Sequence, residues 1–100
     1  MQPNMRMIQQ MQQRLLKAQE DLANEAVQGT AGGGAVAVTV SGHLRVLEVT
    51  IDPAAVDPED VETLQDMVLV AANDALARAQ DLASRRMGAI TGGIKIPGLT

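Results

Sequence analysis

The 100-residue chain contains no cysteine and no phenylalanine, tyrosine or tryptophan, and it has a single histidine. The lack of cysteine excludes disulfides, thiolate chemistry and thiolate zinc sites. The lack of aromatic side chains leaves a core of smaller aliphatic residues, which bury less area per residue. Because a small aliphatic domain gains stability by sharing its core with a second copy, we expect a homodimer.

Long apolar runs are also missing from the chain. The longest is Met67–Ala72, far below the roughly 20 residues that a membrane span requires. Glutamines interrupt the N-terminal segment, which therefore does not resemble a signal peptide. These features predict an intracellular, soluble protein without membrane association.

Patterns typical of catalysis or metal binding are weak. His43 is interpreted as an exposed turn residue, and the acidic residues lack the calcium-loop spacing with its central glycine. The glycine-rich segment 29–34 is not followed by Gly-Lys-Ser/Thr, so it is interpreted as a loop rather than a nucleotide site. The sequence therefore predicts no enzyme activity, no metal and no cofactor.

Charge is sorted by position, and the formal net charge of −4 conceals this order. The charged residues before Glu20 are all basic, and so are those after Asp81; they are Arg6, Arg14 and Lys17, then Arg85, Arg86 and Lys95. The stretch from Asp52 to Asp74 has acids and no base: Asp52, Asp57, Glu59, Asp60, Glu62, Asp66 and Asp74. Two basic ends around an acidic middle are suited to holding a polyanion.

Helical periodicity marks both ends of the chain. Over residues 4–26, apolar side chains spaced by three and four form one narrow stripe, comprising Ile8, Met11, Leu15, Ala18 and Leu22. This stripe fits ordinary core packing, a short coiled-coil seam or a helix lying on a sheet. A second helix is predicted over 57–87, with Asp57 as its N-cap and Gly88 as its stop. Its apolar middle, Met67–Ala72, predicts burial from more than one side.

Between the helices the sequence predicts an antiparallel sheet over residues 27–51. In Ala35–Ser41 the valines recur at every second position, and in Leu44–Ile51 the residues Leu47, Val49 and Ile51 do the same. A turn at Gly42-His43 places Val38 opposite Leu47 and Val36 opposite Val49, so that the two apolar faces coincide. Asp52-Pro53 ends the second of these strands. Residues 25–28 are a candidate short strand, and residues 88–100 are expected to form a flexible tail.

Several short motifs, each weak alone, occur in a characteristic order. In that order the chain resembles the YbaB/EbfC family of bacterial nucleoid-associated proteins from about Asn4 to Leu99. The motifs are Met11-Gln12, Gly32-Gly33-Gly34, Val36–Val40, Ile51-Asp52-Pro53, Val56–Asp60, Ala72–Leu76, Met87-Gly88, Thr91-Gly92-Gly93 and Pro97-Gly98.

The resemblance implies a single α+β domain over residues 1–100 with an α-β-β-β-α order, and a tight homodimer with projecting helices. It also implies a cytoplasmic, nucleoid-associated protein that binds double-stranded DNA with limited sequence preference. The basic residues that match the family's DNA contacts are Arg6, Arg14, Lys17, Arg85 and Arg86, with Lys95 in the tail as an addition. The expected dimer core consists of Val38, Leu47, Val49, Leu64, Val68, Ala72 and Asn73.

The chain departs from the family pattern where that pattern carries more lysines. Gln9, Gln10, Gln12 and Gln13 occupy positions that are commonly lysine in the family, and Ala37 and Thr50 replace lysines of the hairpin. The departures bear on DNA affinity rather than on the fold. An alternative function is a dimeric protein-interaction adaptor without significant DNA affinity, whose Met-rich N-terminal helix docks a partner. An enzyme is the third and least favoured class, with Asp74 beside Asn73 interpreted as an interface polar pair.

Overall fold

Along the chain, a long helix precedes a three-stranded sheet and a second long helix follows it. The structure is a computed structural model that describes residues 5–90, with side chains for 5–88. The elements are helix α1 (Met5–Asn24), strands β1 (Ala26–Ala31), β2 (Val36–Ser41) and β3 (Val46–Ile51), a 3-10 turn (Pro53–Ala55) and helix α2 (Val61–Ile90). The predicted α-β-β-β-α order is confirmed. The expected flexible tail lies outside the described residues from position 91 onward.

The core is formed by one face of α2 and the central strand. The sheet is antiparallel with the order β1-β2-β3, and α2 lies across β1 and β2. Alanines spaced by four residues give α2 a flat surface that approaches the strands closely. The buried residues of this core, each no more than 1% exposed, are Val36, Val38, Val40, Ala71, Ala75 and Ala79.

Gly29 lies within β1 rather than in a loop, which corrects the interpretation of segment 29–34. A Cβ atom on Gly29 would lie 2.2 Å from the Ala75 nitrogen and 2.4 Å from the Ala71 oxygen. The glycine is therefore needed for helix–strand approach and not for flexibility. The actual turn is formed by Gly32, Gly33 and Gly34, which all have positive φ angles.

The β2–β3 register differs from the prediction by two residues. Val38 pairs with Val49 and Val36 with Ile51. The loop spans more than Gly42-His43: the Ser41 nitrogen bonds the Arg45 oxygen at 2.8 Å, and Leu44 adopts a φ of 63°. A three-residue loop with a left-handed last residue is a known alternative to the two-residue turn. The strands also contain an irregularity beside Thr39 and Val40.

Helix α2 begins three residues later than the predicted N-cap implies. Asp57 instead closes a preceding turn, in which its Oδ1 accepts a bond from the Glu59 nitrogen at 2.9 Å. Asp60 is the N-cap, because its carboxylate accepts bonds from the Thr63 nitrogen at 3.4 Å and the Thr63 hydroxyl at 2.7 Å. The chain first turns at Asp57 and enters α2 only after Asp60. Asp57 is therefore not the N-cap of α2.

Replacing Asp60 with alanine is expected to lower the free energy of unfolding by about 1 kcal/mol, since the first turn of α2 loses its cap. Asp60→Asn, which keeps an acceptor oxygen, is the matched control and should cost less. Urea denaturation followed by circular dichroism measures both. Equal stability of Asp60→Ala and the unmodified protein would contradict this assignment of the cap.

The C-terminal end and the apolar middle of α2 also depart from expectation. Gly88 does not stop the helix, which continues to Ile90, because an isolated glycine is tolerated at some energetic cost. In the apolar middle, Leu69 and Val70 are 61% and 56% exposed. The segment Met67–Ala72 is therefore covered on one side only within a single chain.

Candidate nucleic-acid interface

Helix α1 consists of a packed base and an exposed arm. At the base Leu22 is buried, while Leu15 and Ala18 are half-buried. Every residue of the arm, which we define as residues 5–14, is exposed. The apolar stripe predicted for this helix is thus covered only at its C-terminal end, and the arm presents its whole circumference to its surroundings.

Three cations lie on one side of α1. At about 100° of rotation and 1.5 Å of rise per residue, Arg6, Arg14 and Lys17 fall within an arc of about 80° and span about 16 Å along the axis. We call these three residues the basic face of α1. All three are exposed, and no acid precedes Glu20 in the sequence. Within residues 5–90, none of the three forms an ion pair.

The arginines of α2 have a different environment. Arg85 pairs with Asp81 one turn earlier on the same helix, at 2.5 Å, and its side chain is 77% exposed. Arg86 pairs with Glu25, which lies at the junction of α1 and β1. Both arginines therefore already have a carboxylate partner. A phosphate group has to compete with that carboxylate for either of them.

The base of α1 is fixed to the β2–β3 hairpin by backbone contacts. The Gly42 nitrogen donates to the carbonyl oxygens of Leu22 at 3.0 Å and Glu25 at 3.1 Å. His43 is exposed, as predicted, and its Nε2 lies 2.8 Å from the Gln19 oxygen. A Cβ atom on Gly42 would lie 2.4 Å from the Leu22 oxygen, so this contact needs glycine. The hairpin tip thus fixes the point at which α1 is attached to the sheet.

Much of the acidic middle has structural roles. Asp52 caps the 3-10 turn through the Ala54 nitrogen at 2.9 Å, and Asp60 caps α2. The Asp74 carboxylate accepts a bond from the Thr30 nitrogen on the outer edge of β1 at 3.2 Å and pairs with Arg78 at 3.3 Å. These Asp74 contacts lie within one chain, whereas the sequence suggested a polar pair at an interface. Asn73 is exposed.

The residues that the sequence predicts for the dimer core differ widely in burial. Val38 is 1% exposed and belongs to the core of the single chain. Leu64, Val68 and Ala72 are half-buried at the margin of that core. Leu47 and Val49 on β3 are 54% and 48% exposed, since α2 covers β1 and β2 instead.

Of the predicted basic contacts, Lys95 lies outside the described residues.

Two further cations, Arg45 and Arg78, lie in the middle of the chain and were not among the predicted contacts. Arg45 is exposed in the β2–β3 loop, and Arg78 is exposed on α2 one turn after Asp74. The order of charge along the chain drew attention to its two basic ends, and both residues lie between those ends. A helical plot of α2 would have revealed Arg78, because Arg78 and Arg85 are seven residues apart and share one side.

Within the described part of the chain, no cluster of three or more histidine, aspartate or glutamate side chains is placed to hold a metal ion. A groove of about 340 Å³ between β1 and α2 is lined in part by Arg78, Asp81 and Arg85, whose charges are already paired. No helix among residues 5–90 combines the length and the apolar character of a membrane span.

Comparison with known proteins places the chain among relatives of similar length. It is 54% identical over 95 residues to a nucleoid-associated protein of Pelotomaculum thermopropionicum, covering 95% of this chain and 90% of that protein. A nucleoid-associated protein of Chloroflexus aurantiacus is 56% identical over 91 residues, covering 91% of both chains.

Fold and family comparisons agree with these relatives. The crystal structure of an uncharacterized protein from Helicobacter pylori superimposes with a TM-score of 0.76 at 19% identity, covering 91% of this chain and all of that one. At this identity the likeness concerns the fold alone. The model of the YbaB/EbfC DNA-binding family matches residues 1–94, and the chain therefore belongs to the YbaB/EbfC DNA-binding family.

Proposed function

We propose that the protein is a nucleoid-associated protein that binds double-stranded DNA as a homodimer with low sequence specificity. The observation that carries this proposal is the basic face of α1, whose three cations are exposed and form no ion pair within residues 5–90. Family membership supports DNA as the ligand. Unpaired cations on an exposed helix are suited to phosphate, because the contact displaces no internal carboxylate.

Phosphate contacts alone position a protein on DNA without reading its sequence. The chain has no aromatic residue to stack on unpaired bases, which disfavours single strands as ligands. In the proposed complex Arg6, Arg14 and Lys17 contact phosphates directly. Arg85 adds a contact when it leaves Asp81, and Lys95 remains a proposed contact of the tail.

The proposal of a homodimer rests on an apolar sheet face that one helix covers only in part. Residues directly opposite in antiparallel strands point to the same side, so Val49 and Ile51 continue the buried face of Val38 and Val36. Yet Val49 and Ile51 are 48% and 36% exposed. We define this uncovered area as the β3 surface; its exposed residues are Val46, Leu47, Val49 and Ile51.

A second copy is the proposed cover of the β3 surface. Contiguous apolar patches of this kind mark association sites in soluble proteins. Leu69 and Val70 on α2 are exposed as well and extend the apolar area available for association. Dimerisation doubles the number of basic faces, so that six cations of α1 act together on one duplex.

Val49→Asp is expected to dissociate the dimer, because it buries an uncompensated carboxylate in the interface. Thr50→Asp is the control, since it places the same charge on the adjacent residue and the opposite face of the sheet. Light scattering after size exclusion should give a mass near twice the 10.5 kDa of one chain for the unmodified protein and the control. A single-chain mass for the unmodified protein, or a dimeric Val49→Asp variant, would contradict the proposed interface.

DNA binding is tested by fluorescence anisotropy of a labelled duplex at about 20, 100 and 200 mM salt, with a single strand of the same sequence alongside. We expect duplex binding that weakens steeply with salt, with little dependence on sequence. Weak or absent duplex binding at the lowest salt would reject the proposal.

The alternative function, a protein-interaction adaptor, is favoured by one observation. The methionines of the arm, Met5, Met7 and Met11, are 75%, 54% and 54% exposed. Flexible apolar side chains of this type are typical of adaptable binding surfaces. An adaptor keeps its protein partner at salt concentrations that release DNA, so the salt series separates the two functions. We propose no catalytic role for the chain.

A further inference from the structure

The junction between α1 and β1 is a single residue whose backbone is hydrogen-bonded on both sides. α1 ends at Asn24 and β1 begins at Ala26, so Glu25 is the single residue between them. The Glu25 nitrogen donates to the Asp21 oxygen at 2.9 Å, and the Glu25 oxygen accepts from the Gly42 nitrogen at 3.1 Å. The backbone of Glu25 is therefore bonded both to the helix and to the hairpin.

The Glu25 side chain is held by a distant part of the chain. Its Oε1 pairs with Arg86 on α2, and the two side chains are 31% and 45% exposed. Its Oε2 is buried, with no hydrogen-bond donor among the described residues. A half-buried carboxylate with one unsatisfied oxygen depends on its cation, since removing that cation leaves an uncompensated charge.

Arg85 and Arg86 are neighbours in sequence but differ in what they connect. Arg85 pairs with Asp81 on its own helix, and such a pair cannot orient two elements against each other. The partner of Arg86 is 61 residues away in sequence, at the base of α1. Of these two arginines, Arg86 is the one that ties the base of α1 to α2.

We propose that Arg86 is a positioning residue whose ion pair with Glu25 sets the direction in which the α1 arm leaves the sheet. Arg86 then contributes to DNA binding by holding the basic face of α1 in place and not by contacting phosphate. This inference rests on the proposed DNA-binding function and refines its list of contacts.

Because α1 is long, a small rotation at its base moves the far end of the arm by a large distance. Arg6 lies 16 residues from Leu22, which is about 24 Å along the helix axis. A rotation of about 10° at the base therefore moves Arg6 by about 4 Å, which exceeds the tolerance of a hydrogen-bonded phosphate contact. Residues 5–14 of the arm are all exposed, and the buried and half-buried residues of α1 lie nearer its base.

The effect of Glu25→Ala on DNA affinity distinguishes the positioning role from a purely electrostatic one, because the two predict changes of opposite sign. Removing an acid makes the protein more positive and frees Arg86, so electrostatics predicts tighter binding to duplex DNA. Positioning predicts that Glu25→Ala and Arg86→Ala each weaken binding by about 3- to 10-fold, and that the double variant is no weaker than either. Glu20→Ala and Arg45→Ala are the charge-matched controls, at exposed positions without this contact between elements. Tighter binding by Glu25→Ala, or additive losses in the double variant, would overturn the proposal.

The orientation of the arm relative to α2 can be measured without DNA. The result of this measurement does not depend on the proposed function. Since the chain has no cysteine, spin labels at Gln12→Cys and Ser84→Cys report the distance between α1 and α2 by pulsed electron paramagnetic resonance, in dimers diluted with unlabelled chain. We expect a broadened distribution in Glu25→Ala and Arg86→Ala. The exchanged pair, Glu25→Arg with Arg86→Glu, should restore a narrow one. Unchanged distributions in both single variants would refute the positioning role even if DNA binding fails.

Discussion

Replacing Arg6, Arg14 and Lys17 together with glutamine is expected to weaken duplex binding at least about 100-fold at about 100 mM salt. These three cations form the basic face of α1 and have no internal ion pair within residues 5–90. If all six in a dimer reach phosphates, the slope of log affinity against log salt is about −5. The triple variant should lose most of that slope along with its affinity.

The fold should tolerate these changes, because all three side chains are exposed and glutamine is a good helix former. Arg45→Gln is the matched single control for Lys17→Gln: Arg45 is an exposed cation without an ion pair in the described chain, and it lies in the hairpin loop. Lys17→Gln should reduce the salt slope, and Arg45→Gln should leave it unchanged. Equal losses from the two single variants would show that net charge, and not the basic face, governs binding.

A gain of affinity provides the complementary test. Gln10 lies about 40° from both Arg6 and Arg14 around the helix axis, in the middle of the basic face. Gln10→Lys is therefore expected to tighten duplex binding and to steepen its dependence on salt. This substitution restores a type of residue that the family resemblance associates with the first helix.

Gly29→Ala is expected to destabilise the protein by about 3 kcal/mol or more, although it adds only one methyl group. The added Cβ would lie 2.2 Å and 2.8 Å from the backbone nitrogen and Cα of Ala75 and 2.4 Å from the Ala71 oxygen. Backbone atoms of a packed helix cannot move aside as a flexible side chain does. The strand and the helix must therefore separate, and the core between α2 and β2 opens with them.

The measurement for Gly29→Ala is thermal unfolding followed by circular dichroism, in which a loss of about 3 kcal/mol lowers Tm by roughly 15 °C. Gly88→Ala is the matched control, because a Cβ there meets no atom of the described residues within 4 Å and the residue lies in α2. It should leave Tm unchanged or raise it slightly, since alanine favours the helix. A normal Tm for Gly29→Ala would contradict the close approach of α2 to β1.

Local patterns predicted the elements better than the contacts between them. The alternating valines of β2 and the regularly spaced apolar residues of α1 are local patterns, which can be recognised from neighbouring residues alone. The α-β-β-β-α order followed from such patterns and from the family resemblance. Gly29 was assigned to a loop because it begins a segment of six residues that contains four glycines. The signal that reveals its role is the stripe of Ala71, Ala75 and Ala79, whose small side chains face β1 and β2.

Long-range relationships could not be read from the sequence. The β2–β3 register depends on the left-handed conformation of Leu44, which a non-glycine residue rarely adopts. The pair of Glu25 with Arg86 joins positions 61 residues apart, and no local spacing indicates it. Charge order along the chain predicted which ends carry cations. It did not predict that Arg86 is paired at the base of α1 while the basic face forms no ion pair within residues 5–90.

The central claim is that the exposed half of α1 is where duplex DNA binds. Photo-crosslinking tests it most directly, with a photoreactive residue at Gln10 on the basic face and, in a second protein, at Thr50 on the outer face of the sheet. Our account predicts that a labelled duplex crosslinks strongly at position 10 and weakly at position 50, and that crosslinking at position 10 decreases with added salt. Crosslinking mainly at position 50 would contradict the account and place the DNA on the sheet.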